Sequence, residues 1–291
     1  MTEIISYYSV APSQGKRTLS LSMAESLAEQ GYKTALIELD DVYPALSIAN
    51  QITNEYKNTV EFFQKAVNSN QFNISEYVIN KSILVDTDNR DFKKRFAEYP
   101  DKLDFLVFPK NFRAHHFPVI VKSNEENAER KAHEFIQKFM YSLKTSSYDY
   151  VILNLPNNLE HLFCFEVIGA SDRIINVVTP AASRLFENKE IIEYLTSNIS
   201  GLQNKLYTIV NQASLEVDIT TYKELTGVKD SNKVIVIPYD PERLDRELAL
   251  KIGSPTINYH IERVALLLDI KLNPATNKKK KIPFFREKNN A

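Results

Sequence analysis

The chain has very little cysteine and no long apolar run. One of its 291 residues is a cysteine, Cys164, which excludes an internal disulfide and any zinc site built from a cysteine cluster. Its neighbours include Leu162, Phe163 and Phe165, and such surroundings predict a buried thiol. No apolar run approaches the roughly 20 residues that a membrane-spanning helix needs, and the first residues show no signal-peptide pattern. We therefore expect a cytoplasmic protein, or one bound peripherally at the inner face of a membrane.

The chain also has almost no net charge. It contains 36 Lys and Arg residues against 37 Asp and Glu residues, which gives a formal charge of -1. A body of this composition does not bind nucleic acid by general electrostatic attraction, so DNA is not an expected partner. Any basic patch must be local.

Short segments rich in β-branched and aromatic residues alternate with segments of helical spacing. Most of the former are near-continuous apolar runs, which is typical of strands buried on both faces of a sheet. Strands that alternate with helices imply right-handed crossovers and a mainly parallel sheet. We predict a single α/β domain in which helices flank a mainly parallel central sheet. The predicted strands are Ile4–Val10, Thr34–Leu39, Leu103–Phe108, Tyr150–Leu155, Arg173–Val178, Leu206–Asn211 and Lys233–Ile237, and the predicted helices include Leu19–Glu29, Ala132–Leu143, Arg184–Ser197 and Arg243–Lys251.

Two regions give weaker patterns. Residues 41–100 are polar and rich in Asn, with short amphipathic pieces at Thr59–Ala66 and Ile74–Ile79. We interpret them as helices that cover one edge of the sheet. Residues 111–127 form a loop with two adjacent histidines, which have no partners at metal-ligand spacing and are expected to be surface or partly buried side chains.

The first predicted strand leads into a loop and then into a helical pattern. A phosphate-binding loop works because backbone N–H groups at a helix N-terminus point at phosphate oxygens while a lysine reaches the terminal phosphates. Gly15, Lys16 and Thr18 keep that minimum. The usual G-x-x-x-x-G-K-[ST] pattern is broken twice, because Val10 stands at the first glycine and Arg17 at the Mg²⁺-binding hydroxyl. The motif alone leaves two alternatives, a phosphate-binding loop and a solvated turn before an ordinary helix. The candidate nucleotide-binding residues of the loop are Ser13, Gln14, Gly15, Lys16, Arg17 and Thr18.

The order of these features resembles the MinD/ParA superfamily of deviant Walker-type ATPases. The resemblance covers residues 1 to about 270 and lies in co-linear pieces rather than in any single motif. The loop is most similar to that of bacterial tyrosine kinases in the superfamily, but those chains end in a tyrosine cluster, and no tyrosine follows Tyr259 here. The last two pieces are most similar to the CpaE/TadZ branch. The matching pieces are Ser9–Thr18, Ala24–Asp40, Tyr148–Pro156, Ser171–Pro180, Ile209–Asn211 and Ile237–Pro241.

The resemblance implies a P-loop fold and a nucleotide site. In the family, the position of Asn211 binds the adenine edge and that of Pro238 lines the same pocket, so ATP or ADP is the implied ligand. Glu38 and Asp40 stand where the family positions water and metal, which makes them the candidate catalytic residues. The family dimerises through the face that carries the loop, which implies a homodimer.

Three departures from the family pattern concern hydrolysis. Asn154 replaces the Walker B aspartate, and Arg17 replaces the hydroxyl that binds Mg²⁺. Ala11 replaces the signature lysine that reaches the partner's nucleotide. Because Mg²⁺ needs oxygen ligands in a near-octahedral shell, we expect weak or absent Mg²⁺ binding and inefficient hydrolysis. Two alternatives remain for Arg17: it neutralises the β- and γ-phosphates as a built-in cation, or it pairs with Glu38 or Asp40 and closes an empty site.

These features favour a catalytically impaired nucleotide-binding protein. It would act as a dimeric localisation or recruitment scaffold for a cell-pole or membrane-associated machine, such as a pilus or secretion system. One alternative is an active ATPase of plasmid or chromosome positioning that uses Glu38 and Asp40 in place of the lost groups. Another alternative is an interaction protein with an empty nucleotide site.

The composition changes near the end of the chain. We predict a MinD/ParA-like domain over residues 1–272 and a basic tail over residues 273–291. The tail either contacts an anionic membrane, with lysines at the headgroups and phenylalanines in the interface, or solubilises the protein as a disordered segment. A DNA contact is a third alternative. The candidate tail residues are Lys278, Lys279, Lys280, Lys281, Phe284, Phe285 and Arg286.

Removal of residues 276–291 is expected to abolish any binding to anionic vesicles and to leave folding intact, because the tail follows the last predicted core element. Each lysine contributes at most about 1 kcal/mol near an anionic surface, so the binding is weak and reversible. Sedimentation of full-length and truncated protein with phosphatidylserine vesicles at low salt measures this. A full-length chain that ignores the vesicles contradicts the membrane interpretation.

Overall fold

The computed structural model describes residues 1–121, 126–248 and 253–272. Within them the chain forms one α/β unit around a seven-stranded sheet. The predicted basic tail, residues 273–291, and the end of the predicted helix Arg243–Lys251 lie outside the described residues. The strands are β1 (Glu3–Tyr8), β2 (Thr34–Glu38), β3 (Leu103–Leu106), β4 (Tyr150–Asn154), β5 (Arg173–Val178), β6 (Leu206–Ala213) and β7 (Val234–Pro238). The helices are α1 (Lys16–Glu29), α2 (Ala45–Ala49), α3 (Thr59–Ser69), α4 (Lys81–Leu84), α5 (Arg90–Phe96), α6 (Ala128–Lys144), α7 (Phe165–Ala170), α8 (Ala182–Asn198), α9 (Leu202–Lys205), α10 (Ile219–Leu225), α11 (Glu242–Leu248) and α12 (Pro255–Leu267).

The strands lie in the order β3-β2-β4-β1-β5-β6-β7, and every neighbouring pair is parallel. This confirms the predicted fold class and all seven predicted strands, whose ends shift by one or two residues at most. Strand β1 ends at Tyr8 rather than at Val10 because the chain turns there, with the Ser9 hydroxyl donating to the carbonyl oxygen of Ala11 over 3.0 Å. In a parallel sheet all carboxyl ends meet at one edge, so the loops that follow these strands lie together.

Helices cover both faces of the sheet. Helix α1 lies against β2 and β4, and its residues Leu19, Met23 and Leu27 form one buried stripe at i, i+4 spacing. Helix α12 packs beside α1 and adds to the same core cluster. Helices α3, α6 and α7 cover the other face, where Phe139 and Phe163 lie in the second core cluster. The edge of the sheet where the carboxyl ends of the strands meet therefore lies between two packed layers of helices.

Residues 41–100 wrap around the edge strand β3, as predicted. Leu46 of α2 and Leu84 of α4 belong to the core cluster on the α1 face, whereas Phe62 and Phe63 of α3 belong to the cluster on the opposite face. The segment therefore closes the β3 edge by covering both sides of it.

The prediction of a helix over Ile74–Ile79 is wrong. A 3₁₀ turn covers Ile74–Glu76 alone, and the chain then extends. The backbone of Ile79 pairs with that of Phe105 in an antiparallel bridge, with nitrogen-to-oxygen distances of 2.7 and 2.8 Å. Pairing with the edge strand satisfies the backbone groups that a helix would otherwise have satisfied.

Candidate functional site

The loop after β1 is fixed to the ends of β5 and β6. Gly15 has a φ of 93°, and a Cβ atom there would overlap Nδ2 of Asn211, so glycine alone fits both the conformation and the contact. The same Nδ2 donates to the carbonyl oxygen of Gln14 over 2.8 Å. The side-chain oxygen of Gln14 accepts hydrogen bonds from the backbone N–H and the hydroxyl of Thr179, at 2.6 and 2.8 Å. The loop conformation therefore depends on the neighbouring strands.

The N-terminus of α1 keeps the backbone arrangement of an anion site. Among the described residues no side chain caps it, and no acidic residue lies in its first turn. The first N–H groups of a helix have no partner within the helix, and together with the helix dipole they attract anions. Ser13, with a φ of 63°, is exposed just before this turn.

The ammonium of Lys16 is buried within the protein. It lies 3.2 Å from Oδ2 of Asp40 and 2.7 Å from Oδ1 of Asn157. It also donates to the carbonyl oxygen of Leu155. Burial lowers the pKa of Lys16, and the charge of Asp40 opposes that shift. An ammonium has three protons to donate, so Lys16 must give up one of these bonds to reach a phosphate.

Glu38 and Asn154 lie opposite each other at the ends of β2 and β4, and both are buried. Oε1 of Glu38 accepts the backbone N–H of Leu46 over 2.8 Å. Oε2 of Glu38 and Oδ1 of Asn154 have no hydrogen-bond partner among the described residues. Burial raises the pKa of Glu38 to about 8, against the effect of the Leu46 N–H. Asp40 instead pairs with the ammonium of Lys16. The two candidate catalytic acids, Glu38 and Asp40, therefore have different partners.

Arg17 and Thr18 lie in the first turn of α1. The charge of Arg17 lowers the pKa of Glu38 against the larger effect of burial, so these two side chains are close enough to interact. The hydroxyl of Thr18 accepts a hydrogen bond from Nη2 of Arg243 at 3.4 Å. Asp40 is bound to Lys16, whereas the charge of Arg17 acts on the pKa of Glu38. Both alternatives for Arg17 therefore stay open.

A cleft opens at the ends of β6 and β7. Asn211 and Pro238 line it together with Tyr239 and Arg243, and its volume is about 220 Å³. Typical small-molecule pockets measure roughly 300–1,000 Å³, so this cleft fits a planar base rather than a whole nucleotide. Tyr239 is 63% exposed and offers a ring face for stacking. The structure thus brings both residues implied by the resemblance into one cleft.

Sequence reasoning missed three residues of this edge. Asn157 binds both the Lys16 ammonium and the Ser9 hydroxyl, yet it lies in a loop with no motif. Tyr239 directly follows Pro238, so its place beside the cleft follows from adjacency. Arg243 was assigned only to a helical pattern, and nothing in that pattern indicates that its guanidinium reaches the loop.

No family model and no curated protein matches the chain. Several solved structures do match it over nearly its full length. MinD from Pyrococcus horikoshii in complex with Mg-ADP is 18% identical, covers 96% of this chain with 100% of its own, and has a TM-score of 0.64. A plasmid partition protein from Borrelia burgdorferi B31 bound to AMPPNP is 16% identical, with coverage of 92% and 98% and a TM-score of 0.64. The MinC:MinD complex from Aquifex aeolicus gives 16% identity, coverage of 94% and 98%, and a TM-score of 0.62. At these identities the likeness establishes the fold: the chain has the P-loop fold of MinD and ParA proteins.

The groups at this edge of the sheet suit a nucleotide better than they suit Mg²⁺. The uncapped helix start, the close approach at Gly15 and the cleft suit phosphates and a base. For the ion, Asn154 offers no charge, Arg17 stands in place of a hydroxyl, and Asp40 is bound to Lys16. Among the described residues, no group of three or more His, Cys, Asp or Glu side chains is placed to hold a metal ion.

Glu38→Gln is expected to stabilise the protein increasingly as pH rises. The folded-state pKa of about 8 lies above the ordinary value of 4.5, so the folded chain holds a proton that the unfolded chain has lost between these pH values. The contribution of Glu38 to stability therefore falls as pH rises from about 4.5 to 8 in the native chain, and the neutral Gln removes this loss. Urea unfolding at pH 5 and pH 8 should show an advantage for the variant that grows by about 1 kcal/mol or more.

The matched control is Glu98→Gln, at an exposed position. Its stability difference from the native chain should be the same at both pH values. If Glu38→Gln and the native chain show parallel pH profiles, Glu38 does not hold a proton in the folded protein.

Proposed function

We propose that this chain binds ATP or ADP at the loop and the cleft, with little dependence on Mg²⁺, and that it hydrolyses ATP slowly or not at all. The contact of Gly15 with Asn211 carries the proposal, because it joins the uncapped start of α1 to the cleft lined by Asn211 and Pro238. A phosphate site and a base-sized cleft then share one wall. Solved structures of this fold with AMPPNP and Mg-ADP support the assignment.

In this proposal the chain lacks two groups that would support Mg²⁺, a hydroxyl at position 17 and a carboxylate at position 154. Phosphoryl transfer depends on positioning and on neutralisation of the developing charge, which a metal ion supplies when it is bound. Arg17 would supply positive charge at the phosphates, and it would do so without activating water. Asn154 would leave the site one carboxylate short. The residues that would hold the nucleotide are Ser13, Gln14, Gly15, Lys16, Arg17 and Thr18 at the phosphates, and Asn211, Pro238 and Tyr239 at the base.

Isothermal calorimetry with ATP and with ADP, in EDTA and in Mg²⁺, tests this proposal. We expect binding in EDTA that changes less than about threefold on addition of Mg²⁺, since a threefold change is under 1 kcal/mol. Lys16→Ala is expected to weaken it. A large gain with Mg²⁺ contradicts the role of Arg17. Absence of heat in both buffers favours the interaction protein with an empty site, which the engagement of Lys16 by Asp40 supports.

We further propose that the chain acts as a homodimer through the edge that carries the loop. Large apolar side chains are exposed in segments that follow β2, β6 and β7 at this edge. Large apolar side chains that are exposed along one edge of a soluble protein are candidates for an interaction site. The exposed residues include Val42, Tyr43, Ile48, Leu215 and Tyr239, at 66%, 59%, 58%, 77% and 63%.

The proposed dimer should depend little on ATP, because Ala11 lacks the lysine that locks the partner's nucleotide in the family. Analytical ultracentrifugation with and without nucleotide should show the same dimer, and Val42→Asp should weaken it at least tenfold by placing a charge in the apolar surface. The control is Tyr141→Asp, on α6 and 70% exposed. Monomers alone at high concentration contradict the proposal.

The scaffold role is the finer part of the proposal. The likeness to MinD in complex with MinC supports a protein partner, and the strand ends Ile209–Asn211 and Ile237–Pro241 support a CpaE/TadZ-like recruitment role at a pole or membrane. Among the described residues, no helix is both long and apolar enough to cross a membrane. In this proposal the basic tail is the membrane contact, which the vesicle experiment tests. Robust ATP turnover would instead favour the positioning ATPase that uses Glu38 and Asp40.

A further inference from the structure

Arg243 lies where the loop and the cleft meet. It stands in the first turn of α11, directly after β7, and it lines the cleft with Asn211 and Pro238. Its Nη2 is 3.4 Å from the hydroxyl of Thr18. Its Nη1 is 3.7 Å from the point that a Cβ on Gly15 would occupy. One guanidinium thus borders both the phosphate-type loop and the base-sized cleft.

The backbone around Arg243 is held in place from behind. Its N–H donates to the carbonyl oxygen of Asp240 over 3.2 Å. Oδ1 of Asp240 accepts the N–H of Glu242 over 3.0 Å, and Oδ2 accepts the Ser254 hydroxyl. The start of α11 is therefore anchored to the loop before α12. The Asp240 carboxylate is engaged in these bonds.

The contact of Arg243 with Thr18 is weak enough to be exchanged. A distance of 3.4 Å is long for a hydrogen bond to a hydroxyl, whereas guanidinium bonds to phosphate oxygens are charge-assisted and span about 2.7–2.9 Å. Arginine also presents two parallel N–H groups that match a phosphate. A phosphate beside Thr18 would therefore be a stronger partner than the hydroxyl.

The charges of the neighbours point the same way. The ammonium of Lys16 is already compensated by Asp40. No acidic residue lies in the first turn of α1 to repel a phosphate. Arg243, at the cleft side of the loop, adds positive potential at the place where the phosphate chain would meet the sugar.

We propose that Arg243 binds the phosphate nearest the ribose and is the residue by which this site distinguishes nucleotides from nucleosides. The inference rests on the proposed nucleotide site and deepens it. With the base in the cleft and the terminal phosphates at the start of α1, the phosphate attached to the sugar lies between them. Arg243 borders both of these places.

Calorimetry in EDTA with ADP, AMP and adenosine tests the assignment. Arg243→Ala should weaken ADP and AMP about tenfold to a hundredfold, as expected for a lost charge-assisted bond, and should change adenosine by less than about twofold. The affinity of Arg243→Lys for ADP and AMP should lie between those of the native chain and Arg243→Ala, because lysine keeps the positive charge and loses the two parallel N–H groups of the guanidinium. Arg263→Ala, exposed on α12, is the control and should bind all three ligands as the native chain does.

The outcomes separate the two proposals. A native chain that binds neither ADP nor AMP overturns both the nucleotide site and the role of Arg243. If native ADP binding is intact and Arg243→Ala binds ADP equally well, the role of Arg243 alone is wrong. Equal losses for ADP and adenosine would show a structural effect on the cleft, and would also overturn the assignment. Thermal unfolding of each variant confirms that it is folded.

Discussion

The buried ammonium of Lys16 holds the site edge of this protein together. Lys16 belongs to α1, and its hydrogen bonds go to Asp40 beyond β2 and to Leu155 and Asn157 beyond β4. A buried charge is tolerated only when it is paired and hydrogen-bonded, so these three elements keep one arrangement relative to each other. Loss of Asp40 alone would leave an uncompensated charge. Lys16 is the residue most typical of a phosphate loop, and through these bonds it is also a structural cross-link between the three elements.

A second constraint orders the other side of the edge. The overlap that any Cβ on Gly15 would make with Asn211 sets the loop against β6, and Gln14 is bound to Thr179 at the end of β5. Together with the Lys16 cross-link, these contacts leave the start of α1 facing the cleft. In our account, Arg17 and Arg243 add their positive charge to that of Lys16 at the phosphates. Under this proposal the site would bind a nucleotide with the help of these guanidinium groups, and Asn154 and Arg17 would stand in place of the groups that support a metal ion.

The sequence predicted the architecture because its signals are local. Each buried strand is a short apolar run, and the segment of α1 has apolar residues at helical spacing, so element type and order follow from neighbouring residues. Contacts between distant parts of the chain have no such signal. The hydrogen bond from Asn211 to Gln14 joins residues 197 positions apart, and the bridge of Ile79 to Phe105 replaced a predicted helix. Asn157 and Arg243 were missed for the same reason. The family resemblance pointed to Asn211 and Pro238, and it carried no information on the partners of Lys16.

Steady-state phosphate release is the measurement that tests the central claim, that two missing ligand groups prevent metal-dependent hydrolysis. The native chain should release phosphate no faster than Lys16→Ala. Arg17→Thr returns the hydroxyl and Asn154→Asp returns the carboxylate, and each alone should have little effect because both groups support one ion. The double variant should hydrolyse ATP in Mg²⁺ faster than the sum of the single variants. Robust turnover by the native chain that disappears in Lys16→Ala would contradict the account and establish an active ATPase.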